Sequence, residues 1–232
     1  NYYSVALNKV GKTTARAFGE MGENDAEAYT EKFTEKLKEL NKKMTGYIVG
    51  DNGELIDTES IGLGLDPERL MNFQAQILGI TNSVGLLGDA STNTAKALSM
   101  LSADLSSLTN TDLEQVMGNL RSGLIGQSRA LYKYGIDITS ATLKQYALAY
   151  GIEKSVTEMS QSEKMQLRML AILDQSRIAW GDQARTINTV ANQYRILKQQ
   201  VSNLGRIIGN LFLPIIQKVL PYINAFIILL QR

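Results

Sequence analysis

The sequence predicts an all-α fold, with short helices punctuated by glycine forming a bundle and a long amphipathic helix after them. Three observations carry that prediction. Only 3 of 232 residues are Pro and 7% are aromatic, which argues against a β-rich chain. Apolar residues recur at spacings of three and four along most of the sequence. Capping signatures precede the apolar runs, and glycines follow them.

The elements follow in order. Residues 1–22 place Tyr2, Tyr3, Val5, Leu7, Val10, Ala15, Ala17 and Phe18 among polar residues, which reads as a helix ending near Gly22. Tyr29, Phe33, Leu37, Leu40 and Met44 make the apolar stripe of a second helix. Glu39 and Lys43 form a favourable i,i+4 pair on its polar face, and Gly46 closes it. Tyr47-Ile48-Val49 and Glu54-Leu55-Ile56 flank Asp51-Asn52-Gly53, so a small β-hairpin is expected near residues 47–56. Asp66-Pro67 starts a helix expected to reach Leu78, before Gly79, Gly85 and Gly88 interrupt an apolar stretch. Ser91 or Thr92 is suited to cap the next helix, expected to end near Leu108. Thr111-x-x-Glu114 and Ser160-x-x-Glu163 are capping-box patterns, and Gly135 and Gly151 stand where helices should end.

The last helix has a different pattern. Ile187, Val190, Tyr194, Leu197, Val201, Leu204, Ile208 and Leu211 alternate spacings of three and four, a heptad seam. Such a stripe serves either an amphipathic helix docked on its own domain or a coiled coil that self-associates through residues 187–211 or begins a rod. After Asp182 no acidic residue occurs, while Arg185, Arg195, Lys198, Arg206, Lys218 and Arg232 are basic. From Leu211 to Leu230, 15 of 20 residues are apolar. Lys218, Gln217, Asn224 and two prolines interrupt that run, so a buried or partner-covered segment fits better than a membrane span. Transient membrane contact is the competing use of the segment. The resulting division is 1–65, an N-terminal helical segment; 66–181, a compact helical module; and 182–232, the heptad helix with its apolar end. A start at Asn1 and an end at Arg232 just after an apolar run read as a piece of a longer polypeptide.

Composition narrows the chemistry. The chain has no Cys and no His, which removes disulfides, thiolate or imidazole metal sites, and Ser-His or Cys-His nucleophile pairs. No cofactor or metal site is expected. Gly11-Lys12-Thr13-Thr14 resembles the end of a P-loop, but Ala6 stands where the motif needs its first Gly. Gly62-Leu63-Gly64 lacks the third Gly of a dinucleotide site. Glu153, Glu158, Glu163 and Asp174 could in principle supply a two-carboxylate hydrolase, but capping and solvated helix faces explain them locally. A net charge of +1 gives no global field toward nucleic acid, and six basic residues spread over the last fifty positions make no specific nucleic-acid reader.

A run of short motifs adds a resemblance. Ser122-Gly123-Leu124-Ile125-Gly126 is followed by Tyr134-Gly135-Ile136-Asp137-Ile138 and by Thr142-Leu143-Lys144-Gln145-Tyr146-Ala147. Then come Met159-Ser160-Gln161-Ser162-Glu163-Lys164, Ile172-Leu173-Asp174-Gln175, Gly181-Asp182-Gln183-Ala184-Arg185-Thr186 and Ala191-Asn192-Gln193-Tyr194-Arg195-Ile196-Leu197-Lys198. In order and spacing these resemble the N-terminal region of the tail tape measure protein of long-tailed bacteriophages, over roughly residues 66–225. The resemblance implies a structural protein of the virion and not an enzyme. Its parent chain would lie extended in the lumen of the tail tube, set tail length, and leave during DNA ejection. Before that it would stay in the host cytoplasm during assembly. Tail tube protein and tail assembly chaperones would be its partners. The alternatives are a membrane-active module that helps the genome cross the cell envelope and, further off, part of a cell-wall hydrolase. The residues expected to matter are the turn glycines Gly123, Gly126, Gly135, Gly151 and Gly181, together with the heptad seam.

Overall fold

The computed structural model describes residues 37, 40–45, 47–49, 55–57, 63–198, 200–202, 205 and 218–221. The expected helix over 1–22, most of the second helix, the Asp51-Asn52-Gly53 turn and most of the apolar run 211–230 lie outside the described residues.

A helix through residues 40–45 (α1) precedes two short strands, β1 (Tyr47–Val49) and β2 (Leu55–Asp57). The strands pair antiparallel with Ile48 opposite Ile56, the small hairpin that the sequence suggests. The rest of the described chain is helix, with the turns and short loops that join the helices. The elements are α2 (Pro67–Ser83), α3 (Gly88–Thr109), α4 (Leu113–Leu124), a 3-10 helix (Ser128–Tyr134), α5 (Ser140–Ala149) and α6 (Gln161–Gln175). A 3-10 turn (Arg177–Ala179), α7 (Asp182–Arg185) and α8 (residues 190–198) complete it.

Local chemistry sets most boundaries. The Asp66 carboxylate accepts from the Arg69 N–H at 3.0 Å, with Pro67 opening α2. Ser160 and Glu163 close a full capping box at the start of α6. Elsewhere tertiary packing moved the boundary. α2 continues through Gly79 to Ser83, because Ile77, Leu78, Thr81 and Asn82 all face the core and their burial outweighs the weak helix propensity of one glycine. α3 starts at Gly88 after Leu87, so Ser91 and Thr92 lie inside the helix. The Thr92 hydroxyl bonds back to the Gly88 carbonyl at 3.0 Å instead of capping. At α4 the cap is Asp112, which accepts from the N–H groups of Glu114 and Gln115; Thr111 stands one residue too early.

Helix ends repeat one device. After α2, Leu86 N–H bonds the Thr81 carbonyl and Gly85 N–H bonds the Asn82 carbonyl. The same pair of bonds closes α4 at Gly126 and Gln127, and α5 at Gly151 and Ile152. Gly126, Gly135, Gly151 and Gly181 have φ of +107°, +72°, +67° and +74°, as turn glycines should. Gly123 does not: it lies inside α4, where a Cβ would stand 2.8 Å from Leu131 Cγ. Its role is close packing of the 3-10 helix onto α4.

The core centres on α3, whose residues from Ser91 to Ser106 are largely buried on all sides. α2, α4 and α7 pack around it, α4 also meets α2, α6 and the first 3-10 helix, and α5 packs on α6. Leu70, Ile77, Leu98, Val116, Leu120, Leu124, Leu131, Ile136 and Ile172 are fully buried in one continuous core. Leu37, Met44 and Leu65 belong to that core. Asn41 and Gln74 exchange two amide hydrogen bonds of 3.2 and 2.7 Å, tying α1 to α2. Leu37, Asn41, Met44 and Leu65 therefore pack with the module expected to begin at 66.

Acid should weaken the start of α6. Lys154, first, and then the Ser160 N–H hold the Glu163 carboxyl down to about 2, from an ordinary 4.5. A lowered folded-state pKa stabilises above pH 4.5, and that contribution is lost as pH falls toward 2. Acid titration followed by circular dichroism should show this loss, and Glu163→Gln should flatten the response in that window. An unchanged curve in the variant would mean that the cap contributes nothing measurable.

Candidate functional site

Two sets of motif residues come together in the folded chain. The first joins α5 to α6. The Asp137 carboxylate accepts from the Thr142 hydroxyl at 2.6 Å and the Thr139 N–H at 2.8 Å, which holds its pKa down and fixes the turn just before α5. Gln175 at the end of α6 accepts from the Asp137 N–H and donates to the Asp137 carbonyl, both at 2.8 Å. The Tyr146 hydroxyl donates to Asp174 at 2.8 Å. Burial and the Asp174 charge push that phenol up to about 12, while Asp174 is held low. The motifs at 134–138, 142–147 and 172–175 are thus parts of one clamp whose polar groups are occupied with one another.

The second set docks the C-terminal helix. Asp104, on buried α3, accepts from the Gly181 N–H at 2.8 Å and the Gln183 N–H at 3.1 Å. Burial pushes its carboxyl up, with the neighbouring Asp182 adding to the effect and the N–H groups and Arg185 opposing it. The Gln183 amide donates to the Leu63 carbonyl at 3.1 Å. Asn192 donates to Thr186 and Ser107, and Arg195 donates to Asn110 Oδ1 at 2.6 Å, beside the C-terminal end of α3 where a cation is favoured. Ile196 is buried against Gly64, where a Cβ would stand 3.0 Å from the Ile196 backbone. Sequence reasoning missed Asp104, Ser107, Asn110 and Gly64. A lone carboxylate in the small and apolar stretch Leu101–Leu105 was the available signal for Asp104.

This docking changes the picture of the last helix. It is not continuous from 182. The chain turns at residues 186–188, and the Thr189 hydroxyl accepts from the Asn192 N–H at 3.4 Å where a helix would begin again. Ile187 sits in that turn, half-buried, and does not join the helical seam. α8 does lie on its own domain, but through Asn192 and Ile196, which are 3% and 4% exposed. The seam residues Val190, Tyr194, Leu197 and Val201 point outward at 86%, 67%, 56% and 61% exposure. With Asn188, Gln193, Ile196 and Gln200, three of them border an open groove of about 490 Å3. Leu204, Ile208 and Leu211 lie outside the described residues.

Other sequence candidates are placed plainly. Glu163 and Asp174 sit at opposite ends of α6, roughly 16 Å apart along the axis, too far for a carboxylate pair acting on one glycosidic bond. Glu158 is held by the Ser155 hydroxyl at 2.7 Å and Glu153 is exposed. Among the described residues no group of three or more acidic side chains could hold a metal ion, and no helix is long and apolar enough to cross a membrane. Of the basic residues after Asp182, Arg185 and Arg195 are engaged by Trp180, Asp182, Asn192 and Asn110. No protein family, curated protein or solved structure matches the chain.

Proposed function

We propose that this chain is the folded N-terminal module of a tail tape measure protein, a non-enzymatic structural component of a phage tail. One observation carries the reading: α8 is anchored to the module by one face and presents its heptad face away from it. That is the arrangement expected where a globular head gives way to a rod. The two motif networks support it further, since the residues that carry the resemblance hold the turns and dock the departing helix instead of lining a reaction site. In this reading the parent lies in the tail lumen, meets the tube protein and assembly chaperones, and leaves during DNA ejection.

In-frame deletion of helical sequence from the rod portion of the parent gene tests it. Tails seen by electron microscopy should shorten by about 1.5 Å per deleted residue. Intact tails of unchanged length would reject the reading and favour a membrane-active role for the apolar segment after Asn210.

A further inference from the structure

The corner where α4 ends holds a cation without a counter-charge. We infer that the Arg168 guanidinium there is a receptor for the carboxylate of an acidic peptide on a partner protein, with Ile125 as the apolar contact beside it. The inference goes beyond the tail reading and does not rest on it.

Four observations lead there. First, no carboxylate among the described residues pairs with Arg168. The two acids of α6 are engaged elsewhere, Glu163 by Lys154 and Asp174 by Arg177 and Tyr146. Arg168 donates only to the Leu124 carbonyl, at a long 3.4 Å. Second, the guanidinium lies flat over Gly126. A Cβ at that glycine would stand 3.0, 3.1 and 3.4 Å from Nη2, Cζ and Nε. Those near-equal distances turn the planar face toward Gly126 and leave the Nε–Nη2 edge directed away from it. That edge carries two parallel N–H donors, the pair that matches the two oxygens of a carboxylate. Third, the side chain is half-buried, and burial pushes its pKa down with no neighbouring charge to offset the effect. A desolvated cation without a partner costs the fold free energy that an apolar side chain would not. Fourth, Ile125 lies between the two residues that the guanidinium touches and is 49% exposed. Arg129, just past Gly126 in the chain, is exposed and has no carboxylate partner among the described residues either. A cationic fork, an apolar contact and a second cation suit a peptide that carries acidic and apolar side chains together. A free phosphate would use the charge and leave Ile125 in water.

NMR of the whole chain tests this through the Arg168 Nε–H signal, assigned through its side-chain connectivity. The probe is a short peptide with two glutamates flanking a leucine. Its glutamine counterpart and inorganic phosphate are the comparisons, all at one ionic strength. The glutamate peptide should shift the signal downfield to saturation, and neither comparison should. Arg168→Gln should weaken peptide binding at least about tenfold, the loss expected for a charge-assisted pair. Gly126→Ala keeps the charge but drives a methyl against the guanidinium, and it should weaken binding too. The signal of the unaltered chain decides the matter even where a variant fails to fold. Three results would each overturn the proposal: no shift with the glutamate peptide, an equal shift with the glutamine peptide or with phosphate, or undiminished peptide binding by folded Arg168→Gln.

Discussion

Asp104→Ala is expected to cost the fold about 3 kcal/mol and to free the segment after Gly181 before any other part. The carboxylate is the acceptor for two N–H groups, those of Gly181 and Gln183. Each loses its partner in the variant, at about 1–3 kcal/mol apiece when buried. Part of that loss is offset, because the variant also removes a carboxylate whose charge is disfavoured by burial. The missing acceptors should prevail, since their loss also undoes the placement of α7 and, through it, the Gln183 bond to Leu63. Urea unfolding at neutral pH should show the stability loss, and hydrogen exchange should show residues 181–198 opening while α2 and α4 stay protected. A loss under about 1 kcal/mol would mean that water takes over both N–H groups. The pH dependence is opposite to that of Glu163. A carboxyl raised in the folded state stabilises below its ordinary value of 3.8, and that contribution is lost as pH rises through the raised value.

Two glycines of α4 should respond to the same substitution with opposite signs. Gly118 has no atom within 4 Å of where a Cβ would be, so Gly118→Ala should stabilise by about 1 kcal/mol through helix propensity and a less flexible unfolded chain. Gly123→Ala gains the same backbone term but drives a methyl into Leu131, which is fully buried and has nowhere to retreat. Overpacking of that kind costs about 1–3 kcal/mol and should overcome the gain. Thermal unfolding of the two variants side by side measures the difference. If Gly123→Ala proves as stable as Gly118→Ala, the 3-10 helix is not packed against α4 as described.

The helices were legible because their signals are local. Asp66-Pro67 and the Ser160–Glu163 box each lie within four residues, and the glycine turns are as short. What escaped the sequence was decided across distance. Gly123 stands within a Gly-rich motif and reads as a turn until Leu131 is seen against it. Gly79 reads as a stop until the burial of Ile77, Leu78 and Thr81 is known. The seam was legible as a periodic stripe, yet periodicity does not say which way a stripe faces. That depended on Asn192 and Ile196 finding Ser107 and Gly64, partners 85 and 132 positions away in the chain. The Ile187 position failed for a related reason: an unbroken spacing does not reveal a Thr hydroxyl that restarts the helix.

The anchoring of α8 through Asn192 and Ile196 also fixes a rotational phase. A helix advances about 100° per residue, so whatever follows Ile196 leaves at an azimuth set by that anchor. One residue inserted just after Ile196 would swing the downstream stripe by about 100° toward its own module, whereas four would return it to within about 40° of its original bearing. Length changes in this region are therefore not equivalent, even when they alter reach by nearly the same amount. A helix docked this way behaves as a keyed coupling: the join transmits an orientation as well as a connection.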